Sequence, residues 1–190
     1  LAFVLAAPAR AADPSDPEWP CIQRKVEHLS PAAMWPHPFG EEVAPLSPDL
    51  EELAARLALR RVSEEEARAL VAEAAADHPD LGLPGYGHLF QATFDHIDRQ
   101  RARILSGITR YARNQTRLSS ELDSLRAEMA WLEAAENPDF DRMDEVEARI
   151  DWHVRVFNDR ARALTYVCES PILLEQRAYV IAQMLLKAAG

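Results

Sequence analysis

The stretch "FQATFDHIDRQRARILSGITRYARNQTRLSSELDSLRAEMAWL" runs from Phe90 to Leu132. Phe90, Phe94, Ile97, Arg101, Ile104, Ile108, Tyr111, Gln115, Leu118, Leu122, Leu125, Met129 and Leu132 follow one another in steps that alternate four and three without a slip. That is a heptad seam, and only Arg101 and Gln115 on it are polar. The spacing predicts one helix over 86–134, roughly 70 Å long at about 1.5 Å per residue. Such a helix needs a partner along its length, since one apolar stripe must be covered.

The partner follows directly. "EAAENPDFDRM" (133–143) interrupts the seam, and Asn137-Pro138 reads as an N-cap with proline at the first helical position. Met143, Val146, Ile150, His153, Phe157, Leu164, Val167 and Cys168 then continue a three–four pattern, with a looser section near Arg160-Ala161, which predicts a second long helix over 138–170. A short connection between long helices makes them antiparallel neighbours. Residues whose numbers sum to about 273 should then face each other. Pro171 should kink or break the second helix, leaving a terminal helix over 171–188.

Two shorter helices precede the seam. Ser47-Pro48 opens one over 48–60, where Leu50, Leu53, Ala54, Leu57 and Ala58 recur at helical spacing. Ser63 and Glu66 form a capping box for another over 64–77, and Val62 can staple to Ala67. "GLPGYG" (82–87) reads as a hinge or loop without a phosphate-binding pattern. Residues 12–46 hold seven prolines and read as an extended arm, with at most a helical turn near Ile22–Leu29. Trp19, Ile22, Val26, Leu29, Met34, Trp35 and Phe39 are too apolar for a free linker, so the arm should lie on the helices. The fold class is therefore all-α: a long antiparallel coiled-coil hairpin, with two short helices and a proline-rich arm packed at its base.

Residues 1–11, "LAFVLAAPARA", read as the tail of a secretory signal peptide, with Ala9-Arg10-Ala11 as the small-x-small cleavage site before Ala12. An alanine- and arginine-rich exported chain fits the periplasm of a GC-rich Gram-negative bacterium. That compartment is oxidising, and the two cysteines, Cys21 and Cys168, are expected to form a disulfide. Folding the hairpin near residue 136 brings Cys168 to its base, where the arm also gathers. The bond would close a loop of about 147 residues.

The same folding rule sets Arg101 opposite Ile172, near Glu169 and Glu175, as a buried ion pair or an anion-binding site. It sets Gln115 opposite Asn158 as an amide pair. "MWPHPFG" (34–40) offers two readings: Trp35, His37 and Phe39 as a rigid partner-binding loop, or the two rings packed on the helices.

No catalytic or metal motif appears. The six histidines form neither H-E-x-x-H nor E-x-x-H, and the chain has no C-x-x-C-H, G-x-S-x-G, P-loop or dinucleotide fingerprint. His153 on the seam reads as a core histidine, and the Asp95-His96-Asp98 cluster as a solvated face. No metal or cofactor is expected. The formal net charge of −10 disfavours nucleic acid and anionic membrane surfaces as partners. No stretch reaches the length of a membrane span.

The expected function is that of a non-enzymatic periplasmic module, which binds a protein partner or itself through the hairpin. Trp131, Trp152, Val154 and Val156, off the main seam, are candidates for a second interface. The alternative is a helical bundle that binds a small anionic ligand at Arg101.

Overall fold

The computed structural model describes residues 16–39 and 45–190. The signal-peptide reading of residues 1–11 lies outside them. Among the described residues there is no strand; the elements are a 3-10 turn at Pro31–Ala33, α1 (Pro48–Leu57), α2 (Glu64–Asp77), α3 (Gly82–Glu133) and α4 (Phe140–Ala188). The chain is an all-α helical hairpin of two long packed helices, α3 and α4, preceded by two short ones. It divides into two units, and the boundary falls inside both long helices. Unit one combines residues 16–25 with Ser106–Cys168; unit two combines Val26–Leu105 with Glu169–Gly190.

In unit one, α3 and α4 pack antiparallel along the seam. Leu118, Leu122, Leu125, Leu132 and Val146 are buried, with Met129, Met143 and Ile150 against them. Three cross-helix contacts report the register: Gln115 with Phe157, Glu121 with His153 and Glu128 with Arg142. All three obey the expected sum to within three residues. The connection differs in one detail. Asp139, not Asn137, caps α4: its Oδ1 accepts from the Arg142 amide at 3.0 Å, and its carbonyl accepts from the Met143 amide at 3.0 Å. A carboxylate beside the N–H groups of a first turn is favoured over a neutral amide by the helix dipole.

In unit two, one core gathers both short helices, the start of α3, the end of α4 and the arm. Ser63 caps α2 as expected, its Oγ accepting from the Glu66 amide at 3.0 Å. α1 starts at Pro48 but stops at Leu57, because the Leu59 amide turns back to the Arg56 carbonyl.

Three elements depart from expectation. "GLPGYG" is not a hinge but the first turns of α3. Gly82 takes φ +56, which glycine reaches without a Cβ penalty. Pro84 falls in the first helical turn, where its missing N–H is unpaired anyway. Gly87 lets the Trp35 indole approach: a Cβ there would lie 3.3 Å from Trp35 Nε1.

Pro171 does not break α4, which runs through it to Ala188. An interior proline costs about 3 kcal/mol. Beyond it, Leu174, Ile181 and Leu185 are fully buried, as are Ala178 and Ala182. At about 1.5–3 kcal/mol for each large side chain, that burial outweighs the penalty.

The arm's helical turn falls at Pro31–Ala33, not at Ile22–Leu29. The carbonyls of Val26 and Glu27 accept from Arg101 and so are not spent on a local turn.

Candidate functional site

Cys21 and Cys168, both in unit one, meet at disulfide distance, with sulfurs 2.00 Å and Cα atoms 5.6 Å apart. Both are buried, and no described cysteine is free. The adjoining arm is held twice more. Trp19 is buried and its Nε1 donates to the Gln23 carbonyl at 2.6 Å. The Arg113 guanidinium grips Glu18 through two bonds of 2.8 and 3.0 Å. That paired cation holds the Glu18 carboxyl below its ordinary pKa and raises that of Arg113.

The other predicted sites fall in unit two. Trp35 is 1% exposed, stacked on Phe90 at 5.5 Å between ring centroids and on Phe39 at 6.5 Å. Phe39 is half-buried and itself stacks on Phe90. His37 is exposed and meets the Trp35 ring edge-on at 6.3 Å. Ring packing, the second of the two readings, describes the aromatic pair: Trp35 is core, Phe39 packs half-buried against it, and of the three only His37 is exposed.

Arg101 is 3% exposed. Its Nη2 donates to the Val26 carbonyl at 2.5 Å and its Nη1 to the Glu27 carbonyl at 3.3 Å. Glu169 and Glu175, expected as its partners, are exposed instead. Neutral carbonyls of the arm solve the burial of this cation, and the two carboxylates keep their water. Similarly, Gln115 donates to the Phe157 carbonyl at 3.3 Å and not to the Asn158 amide. A backbone carbonyl one residue away is within the same reach and costs no second side chain's rotamer freedom.

Unit two also carries an open groove of about 820 Å³, lined among others by Met34, Ile172, Leu173, Tyr179, Arg60 and Arg177. Arg177 Nε donates to the Leu57 carbonyl at 2.9 Å, and burial pushes its guanidinium pKa down. Its Nη2 is buried without a partner. Glu64 and Glu175 line the same groove and offset the two arginines.

The hairpin of unit one exposes four large aromatic side chains. Trp131 is 72% exposed, Phe140 70%, Trp152 61% and Tyr166 76%. Val154 and Val156 are half-buried. Trp131 and Trp152 stood out in the sequence because they fall off the seam. Phe140 and Tyr166 did not, although Tyr166 lies two heptads beyond Trp152 and so shares its helix face.

Among the described residues, no three His, Cys, Asp or Glu side chains converge as a metal site. No described helix is long and apolar enough to cross a membrane. No protein-family model, curated protein or solved structure matches the chain.

Proposed function

We propose that the protein is an exported, non-enzymatic interaction or assembly module of the periplasm, and that it works through the hairpin of unit one. The observation that carries this reading is the exposure of Trp131, Phe140, Trp152 and Tyr166 on one helical hairpin. Large aromatic groups contribute strongly to buried interfaces and gain little in water. The buried cysteine pair supports export, because such pairs form and persist in oxidising compartments. It also ties the arm to the hairpin.

Native mass spectrometry of the protein taken from its own periplasm, without reductant, tests the reading. The expected result is an oligomer or a complex, whose subunit mass matches the chain from Ala12 less two hydrogens. A monomer carrying a small non-protein mass would overturn it.

That second outcome belongs to the ligand-binding reading, now moved from Arg101 to the groove of unit two. The unpartnered Nη2 of Arg177 supports it, and the balancing Glu64 and Glu175 weigh against a simple anion. Loss of the bound mass in Arg177→Met, with the fold retained, is what it predicts.

A further inference from the structure

We propose that the partner of the hairpin is a second copy of the chain, laid antiparallel along α4; the inference rests on the interaction reading above. It starts from an exposed face of α4. Asp141, Glu145, Ala148, Trp152, Arg155, Asp159, Arg162 and Tyr166 follow one another in steps of four and three, and all eight are exposed. They lie on the side of α4 opposite Val146 and Ile150, which face α3. Every helix face repeats in such steps, so the spacing alone selects no partner; this face is marked by Trp152 and Tyr166, large aromatic groups exposed among charged side chains.

Charge selects the partner and its direction. From Glu133 to Asp151 the chain carries eight carboxylates against Arg142 and Arg149. From Trp152 to Cys168 it carries Arg155, Arg160 and Arg162 against Asp159. The matching part of α3, residues 106–120, has three arginines and no carboxylate. The hairpin is thus acidic towards its tip and basic towards its other end. Two copies side by side in parallel would set acid on acid and arginine on arginine. Antiparallel, each acidic half meets a basic half, and the change of sign near residue 152 marks the two-fold axis.

The register follows. With facing residues summing to about 307, the layers pair a-type with d-type positions, as antiparallel coiled coils require. Glu145 meets Arg162 of the second copy, and Trp152 offers its ring to Arg155 of the second copy. Asp141 meets Tyr166 of the second copy, whose hydroxyl can donate to the carboxylate. Each contact occurs twice by symmetry. In the single chain, Glu145 pairs with Arg142 at 2.9 Å and Arg162 with Asp159. Exposed pairs of this kind are worth under about 1 kcal/mol, so exchanging them costs little. A basic foreign protein would satisfy the acidic half but repel the other; a second copy satisfies both.

Sedimentation velocity of the full, disulfide-bonded chain tests the proposal across concentration and salt. A dimer is expected at low ionic strength, weakened about tenfold or more near 0.5 M salt. Arg162→Glu should raise the dissociation constant by about tenfold or more, and Glu145→Arg combined with Arg162→Glu should restore it to within about threefold. Both positions are exposed, and helicity and melting temperature verify each variant's fold. A chain that stays monomeric at low salt overturns self-pairing. So does a dimer indifferent to Arg162→Glu, or a charge swap that fails to restore it. A monomer that still captures a different protein through Trp152 overturns self-pairing alone; one that captures nothing ends the interaction reading as well.

Discussion

Replacing Arg101 separates the value of its hydrogen bonds from the cost of burying its charge. The guanidinium is 3% exposed, donates to two arm carbonyls, and leaves Nε buried without a partner. Two charge-assisted bonds contribute about 1.5–3 kcal/mol each. Desolvating a cation costs several kcal/mol, and the two groups that accept from it are neutral carbonyls. In Arg101→Met the volume stays filled, the bonds go and the desolvation cost goes with them, so the net change should stay within about 1 kcal/mol. In Arg101→Ala the bonds go and a cavity opens as well, at a further cost of about 2–3 kcal/mol. For a chain of this length that difference corresponds to about 4–12 °C in melting temperature. Equilibrium urea unfolding of the three proteins at constant pH measures it. If Met proves as damaging as Ala, the two carbonyl bonds dominate and the reasoning fails. If both prove neutral, the side chain is not buried.

Four further outcomes follow from the same contacts. Replacing Cys21 and Cys168 together by serine releases a 147-residue loop. It should lower stability by up to about 5 kcal/mol, read as a fall in melting temperature of about 10–20 °C, and a shift of a degree or two would contradict the role given to the bond. Glu18 has its pKa lowered in the folded chain, chiefly by its bond to Arg113, so the pair stabilises above the ordinary carboxylate pKa. That contribution is lost as pH falls through the lowered value; in Arg113→Met the Glu18 resonance should titrate at a higher pH, and an unchanged NMR titration would refute the pairing. Pro171→Ala restores a helical N–H inside α4 and should stabilise by about 2 kcal/mol after the loss of unfolded-state restriction, measured by chemical denaturation. Gly87→Ala sets a methyl 3.3 Å from a fully buried Trp35 and should destabilise by about 1–2 kcal/mol despite alanine's better helix propensity; a gain in stability would show that the indole yields.

The long helices were legible because their pattern is periodic over many turns. The seam from Phe90 to Leu132 specifies a helix, its need for a partner and the antiparallel register that Gln115 and Phe157 report. Local rules misjudged places where a distant contact decides. Gly82, Pro84 and Gly87 look like breakers, but Trp35, some fifty residues earlier, requires Gly87 on a helix. Pro171 looks like a stop, but the burial of Leu174, Ile181 and Leu185 lies on its far side. Arg101 announced itself as a polar residue on an apolar seam. Its partners could not be read, because they are main-chain carbonyls of an arm with no periodicity to give it a register. The cysteine pairing was legible from the cysteine count and the expected export, whereas the exposed face of α4 was visible only in part, through Trp152.

On the proposed function, this protein meets its partner at the hairpin of unit one. A photo-crosslinking residue in place of Trp152, activated in the intact cell, tests it most directly, with the same residue at exposed Glu73 on α2 as the comparison. One stoichiometric cross-linked species is expected from position 152 and none from position 73. No cross-link at 152, or equal and heterogeneous products from both positions, would contradict it.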